Sequence, residues 1–214
     1  MDNKFSQLLE RFPKLEYSKE AIIKADKLLI ETAKNNKTIF TMGNGGSASD
    51  SDHIVGELMK SFIKKRDLND EYKEKLINID KKLGTELANE LQGGIKSISL
   101  TQHNALSTAF SNDVNPQLGF AQQLSVLGEK GDSVICITTS GNSKNVIYAA
   151  IVAKAKGLNI IGLTGKGGGI LRNFCDICIE VDEKETYKIQ ELHLPIYHAL
   201  CISLEQEFWH EKIH

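Results

Sequence analysis

The chain has 214 residues, and no run of them approaches the ~18 consecutive apolar residues that a membrane-spanning helix needs. Its first residues are polar and charged and lack the apolar core of a signal peptide, so a cytoplasmic location and no membrane partner are expected. Charge of one sign is also scarce. A formal net charge of -2 gives no electrostatic reason for a nucleic-acid partner, and the clusters Lys64-Lys65-Arg66 and Lys81-Lys82 read as solvated helix faces. The four cysteines, Cys136, Cys175, Cys178 and Cys201, are scattered, and three of them sit in apolar surroundings that suit buried, reduced thiols. Cys175-Asp176-Ile177-Cys178 has C-x-x-C spacing. It runs into the alternating Ile179-Glu180-Val181, however, and does not open a helix as a redox motif of that type would. With no internal repeat, residues 1–214 are expected to form one domain, large enough to bury a core without staples.

What is present is an alternation of short apolar strands and helical patterns. Strands are predicted at Thr38–Met42, Ile95–Leu100, Ser133–Thr138, Asn159–Leu163 and Ile177–Val181. Helices are predicted from about Ala21 to Ile30, with Ser18 as N-cap, and over Ala48–Lys64, Pro116–Leu127, Ser143–Lys156 and Tyr187–Phe208. The strands carry Ile and Val on both faces, as in a parallel sheet covered by helices on each side. That predicts an α/β, doubly wound fold whose ligands bind at the carboxyl ends of the strands. Residues 64–94 interrupt the alternation. They are highly charged, and Leu68, Leu76, Ile79, Leu83, Leu87 and Leu91 are spaced for amphipathic helices, so a helical insertion is expected there.

Two strand-to-helix turns have the chemistry of an anion site. Thr139-Ser140-Gly141-Asn142-Ser143 places hydroxyls and a glycine between a buried strand and a helix N-terminus, where free N–H groups and the helix dipole favour negative charge. Gly43-Asn44-Gly45-Gly46-Ser47 follows the first strand in the same way. Together they point to a phosphorylated small molecule. The second also reads as G-x-G-x-x-A, but no acidic strand-end residue follows about 20 positions on, which argues against a dinucleotide. Thr164-Gly165-Lys166-Gly167-Gly168-Gly169 fails the phosphate-loop frame and reads as a turn with positive φ angles.

Downstream of the glycine turn, His53 and Glu57 share one helix face. Such a pair can shuttle a proton, chelate a metal or form a surface ion pair. In the last helix, His198 lies about 20° from Glu191 and about 80° from Gln190 on an ideal helix, so spacing alone pairs it with Glu191. Pro195 can bend the helix there and free the Glu191 carbonyl. Asn112-Asp113 is expected in a loop, as an Asx turn, a cap or a partner for sugar hydroxyls.

Taken in order and spacing, these segments resemble the sugar-isomerase (SIS) domain family, and within it the phosphoheptose isomerases. The resemblance implies a five-stranded parallel sheet and a homotetramer with sites at subunit interfaces. It also implies interconversion of sedoheptulose 7-phosphate and an aldose heptose 7-phosphate through an enediol. Thr138, Thr139, Ser140 and Ser143 would then hold the phosphate, while Asn44, Gly45, Gly46, Ser47, Asn112 and Asp113 line the sugar. Glu57 and His198 match the acid/base residues. His53, Glu57, Gln190 and His198 match positions that hold a zinc ion in some members, and on that ground Gln190 is preferred to Glu191. Two features depart from the pattern: Thr138 stands where Ser is usual, and the insertion is longer, which bears on the identity of the sugar.

Overall fold

The computed structural model describes residues 3–209, so residues 1–2 and 210–214 of the expected domain lie outside it. Five strands, β1 (Ile39–Gly43), β2 (Ser97–Ser99), β3 (Ser133–Thr138), β4 (Asn159–Thr164) and β5 (Ile177–Glu180), form one all-parallel sheet in the order β2-β1-β3-β4-β5. Every residue of β1 and β3 is buried, as expected for strands covered on both faces. Alternation sorts their side chains into two cores. Ile39, Ile135 and Ile137 belong to one, and Phe40, Met42, Val134 and Cys136 to the other.

The first core is closed by α1 (Ser6–Arg11), α2 (Lys19–Lys34), α3 (Gly46–Met59) and α9 (Thr186–Phe208). The second is closed by α7 (Gly119–Leu127) and α8 (Lys144–Lys156). The helix after β1 thus covers one face and the helix after β3 the other. The neighbouring carboxyl ends of β1 and β3 therefore form the switch point at which doubly wound sheets open a crevice. Gly157, in the left-handed conformation at φ 76°, caps α8 as its position in the sequence predicts.

Several local expectations are corrected. Ser18 sits at the N-cap of α2, but its hydroxyl donates to the Glu180 carbonyl at 2.5 Å instead of capping the helix. The second strand shrinks to Ser97–Ser99. Asn112 and Asp113 are not in a loop but close the helix α6 (Asn104–Asp113). Residues 64–94 do form helices, α4 (Asp70–Ile79) and α5 (Lys81–Glu90), capped by the side chains of Asn69 and Asp80. Gly84 lets them touch, since a Cβ there would lie 2.0 Å from the Leu76 carbonyl oxygen. The cluster Lys64-Lys65-Arg66 is not wholly solvated: Arg66 is completely buried.

Candidate active site

The glycine turn after β1 and the hydroxyl turn after β3 meet at the switch point. Gly45 takes φ 57° and ψ −123°, a conformation closed to residues with a Cβ, and so lets α3 start immediately at Gly46. Asn44 and Asn145 tie the turns together through two reciprocal amide hydrogen bonds of 2.9 and 2.8 Å. Asn145 is a residue the sequence reading missed. Its signal was a place in the first turn of α8, two positions after Ser143.

Within the hydroxyl turn, Thr138 and Ser143 pair at 3.0 Å and the Asn142 N–H donates to Ser140 Oγ at 3.1 Å. The turn is braced from behind. Gly141, at φ 66°, packs so closely on the 167–169 glycines that a Cβ would lie 2.0 Å from the Gly168 carbonyl oxygen. Leu171 N–H donates to the Gly141 carbonyl at 2.9 Å and Ile170 N–H to Asn142 Oδ1 at 3.0 Å. Ser140 is exposed and Thr139 and Ser143 are half-buried, whereas Thr138 and Ser47 are 3% exposed and serve the walls of the cradle. Gln190 lies against the same cradle: a Cβ on Gly46 would come within 2.5 Å of its Nε2.

The acid/base candidates sit elsewhere. α3 and α9 run side by side in the same direction, with Gly46 beside Gln190, His53 beside Tyr197 and His198, and the chain just after α3 beside Glu205. Glu57 lies eleven positions past Gly46, about 16 Å along the helix at 1.5 Å per residue. The Ile95 N–H, just before β2, donates to the Leu58 carbonyl at 2.9 Å, so Glu57 is at the amino edge of the sheet and the cradle at the carboxyl edge.

At that amino edge, His53 Nε2 is 3.3 Å from Glu57 Oε1, and the His53 and His198 rings meet edge-to-face at 5.0 Å. The Glu57 side chain is only 13% exposed, with Lys60 Nζ 3.6 Å from its Oε2. Glu57 Oε2 and His198 Nε2 are buried with no hydrogen-bond partner. Burial, reinforced by His53, holds the His198 imidazole below its ordinary value against the pull of Glu57. Behind the cluster, Tyr197 Oη contacts His53 Nδ1 at 3.0 Å and donates to Asp50 Oδ1 at 3.2 Å. Burial raises the Asp50 carboxyl above its ordinary value, partly offset by Tyr197 and His53. Its far side opens differently: His198 also lines a groove of about 280 Å³ between α1 and α9, with Arg11, Phe12 and Leu194.

A zinc ion is not matched by this arrangement. His53 and Glu57 converge and His198 stacks beside them. Gln190, eight positions before His198, is held at the cradle about 12 Å away along α9. Among the described residues no three His, Cys, Asp or Glu side chains are placed to hold a metal ion. Asn112 and Asp113 are exposed on α6 and hydrogen-bond each other at 2.8 Å; among the described residues neither makes a polar contact with the cradle.

A second charged constellation locks the amino edge. Arg66 and Glu205 form an ion pair of 2.7 Å with both side chains fully buried. Arg66 also donates to the carbonyls of Leu58 (2.7 Å) and Glu57 (2.8 Å) and lies under the Trp209 ring at 4.9 Å. Glu205 accepts the N–H groups of Phe62, Ile63 and Lys64 at 2.8, 2.9 and 3.1 Å. These donors and Arg66 overcome the cost of burial and hold its carboxyl below the usual range.

Comparison with known proteins gives the family of the chain. The SIS domain model matches residues 83–165, which include the hydroxyl turn but neither α3 nor α9. Relatives extend the likeness over both helices. The phosphoheptose isomerase of Aneurinibacillus thermoaerophilus is 36% identical over 204 residues, covering 91% of this chain and 90% of that protein. That of Nitratiruptor sp. is 37% identical, covering 87% and 86%. The chain belongs to the phosphoheptose isomerase family. Solved phosphoheptose isomerases from Francisella tularensis (TM-score 0.74, 26% identity, 95% and 97% of the two chains) and Neisseria gonorrhoeae (0.70, 26%, 94% and 98%) share its fold. Among phosphoheptose isomerases the five-stranded parallel sheet expected from sequence is therefore this chain's fold as well.

Proposed function

We propose that the protein is an aldose–ketose isomerase that interconverts sedoheptulose 7-phosphate and glycero-manno-heptose 7-phosphate. Kinship with phosphoheptose isomerases over nine-tenths of both chains supports the substrate. The observation that carries the chemistry is Glu57: a carboxylate 13% exposed, with one oxygen free of any hydrogen bond, beside His53 and His198. Moving a carbonyl between C1 and C2 requires a base that takes a proton from one carbon and returns it to the next, and a positioned carboxylate is suited to that task. Glu57 is assigned that role through a cis-enediol. His198, whose imidazole burial holds below its ordinary value, exchanges protons with the substrate oxygens. The exposed hydroxyl of Ser140, with Thr139, Ser143 and the N–H groups at the start of α8, holds the phosphate. Asn44, Gly45, Gly46 and Gln190 face the sugar.

The working assembly is proposed to be a homotetramer with each site shared between protomers. A seven-carbon phosphate spans roughly 10 Å end to end at ~1.5 Å per bond. That is shorter than the separation of cradle and Glu57 along α3, so the cradle of one protomer meets the acid/base cluster of another. Sharing of this kind would also bring Asn112 and Asp113, which among the described residues make no polar contact with the cradle of their own chain, within reach of a neighbour's sugar. Zinc, where members of the family use it, supplies polarisation of the carbonyl; completing its ligand set here needs a donor besides His53 and Glu57. A cytoplasmic location fits the four free cysteines, and no described helix is long and apolar enough to cross a membrane.

The deciding experiment replaces Glu57 by Gln. Turnover of sedoheptulose 7-phosphate is expected to vanish while sugar-phosphate binding, followed by calorimetry, persists. Undiminished turnover refutes the assignment.

A further inference from the structure

Tyr197 has no role in the reaction as described, yet its hydroxyl is the link between two polar groups of α3. The residue is 2% exposed, so bulk water does not compete for that hydroxyl. A phenol has one proton to donate, and an ionised carboxylate can only accept. The hydroxyl therefore gives its proton to Asp50 Oδ1, at 3.2 Å. What faces His53 Nδ1, at 3.0 Å, is then an oxygen lone pair, and Nδ1 must carry a hydrogen to make that contact. The requirement holds for neutral imidazole and for imidazolium alike; it excludes only the neutral tautomer with its hydrogen on Nε2. The other nitrogen, Nε2, points at Glu57 Oε1, 3.3 Å away.

We propose that Tyr197, backed by Asp50, is a positioning residue that fixes His53 as the Nδ1–H tautomer and so turns the Nε2 lone pair towards Glu57. This rests on Glu57 being the base. When Glu57 takes the substrate's proton, its new O–H finds an acceptor in Nε2 already aligned; with the opposite tautomer it would face a second N–H. Asp50, His53 and Glu57 follow at successive turns of α3, and Tyr197 enters from α9. The device thus also couples the two helices that carry Glu57 and His198. His198 packs edge-on against both Tyr197 and His53, with ring centroids 5.0 Å from each, and screens the pair from the groove beside α1.

The test uses Tyr197→Phe, which removes one oxygen and leaves the ring. Nitrogen-15 NMR of the imidazoles of chelator-treated protein, with His53 assigned through His53→Gln, reads the tautomer directly without any turnover. The native protein is expected to show His53 protonated on Nδ1, and both Tyr197→Phe and Asp50→Asn to shift it towards Nε2–H. In steady-state assays Tyr197→Phe is expected to lower kcat at least tenfold with KM for the sugar phosphate within twofold, because the contacts its hydroxyl gives up, to Asp50 and His53, are not among the groups assigned to the phosphate. An Nε2–H tautomer in the native protein, or a tautomer unmoved by either variant, overturns the proposal. If Glu57→Gln keeps its turnover while the tautomer shifts as stated, the assignment of Glu57 as the base fails and the positioning device stands.

Discussion

Replacing Arg66 by Met is expected to be the most damaging single change outside the apolar cores. The guanidinium is fully buried and makes three short contacts, 2.7 Å to Glu205, 2.7 Å to the Leu58 carbonyl and 2.8 Å to the Glu57 carbonyl. Methionine fills a similar volume but leaves a buried carboxylate without its counter-charge and two carbonyls without donors. Removing one partner of a buried pair costs about 3–5 kcal/mol. For a chain of this size each kcal/mol lowers Tm by about 2–4 °C, so a fall of roughly 10 °C is expected in thermal melts followed by circular dichroism. The pair also differs from one that hydrophobic residues can replace. Glu205 accepts three backbone N–H groups besides Arg66, and these remain unpaired if it is lost. Glu205→Ala should therefore melt at or below Arg66→Met, and the double variant should recover nothing. A Tm within 2 °C of native for Arg66→Met, or a double variant more stable than either single one, would refute the view that the clamp is dry and satisfied on both sides.

Three further outcomes follow from the geometry. If sites are shared between protomers, a Ser140→Ala/Ser143→Ala variant and Glu57→Gln, each inactive alone, regain part of the native kcat when unfolded together and refolded as mixed assemblies; no recovery in assemblies shown to be mixed counts against sharing. Gly141→Ala places a methyl group 2.0 Å from the Gly168 carbonyl oxygen at φ 66°, so it should dislodge the hydroxyl turn and raise KM for the sugar phosphate more than tenfold, measurable in initial rates. His193 is fully buried, and burial lowers it from 6.5 to about 4. The unfolded chain binds that proton first as pH falls, so this contribution to stability is complete above pH 6.5 and is lost between 6.5 and 4. The loss is about 1.4 kcal/mol per pH unit, roughly 3 kcal/mol in all. Urea midpoints of the native protein should fall across that window more steeply than those of His193→Phe, and parallel curves would exclude His193 as the cause.

The sheet was legible because its signals are local. Strands buried on both faces read as unbroken Ile and Val runs, and a glycine at a helix end states its own conformation, as Gly157 does. The two ligand turns were legible for the same reason: their chemistry is written in five consecutive residues. The parts that escaped are contacts across the chain. Tyr197 meets Asp50 across 147 positions and Arg66 meets Glu205 across 139. No periodicity announces either pair, and a basic triplet such as Lys64-Lys65-Arg66 looks solvated until a carboxylate is found beside its last member. Asn145 escaped although it is local, because an amide at a helix start has an ordinary reading as a cap. The glycines at 167–169 were rightly read as a positive-φ turn. Their use as a brace for Gly141 depends on the packing of two loops and could not be read from either.

The placement of Glu57 carries the strongest consequence for specificity. The helical segment over 64–94 springs from the end of α3 that bears Glu57, and Arg66, at its base, donates to the Glu57 carbonyl directly. The antiparallel bridge between Asp67 and Gln92 closes the stem, and Gly93 N–H donates to the Arg66 carbonyl at 2.7 Å. The proposed phosphate cradle of the same chain lies at the opposite edge of the sheet. A change in the length of this hairpin therefore acts first on the Glu57 end of α3 and leaves the cradle of its own chain as it was. Variation among relatives in this segment should alter which carbonyl-bearing end is accepted, and kcat with it, before it alters the affinity for the phosphate.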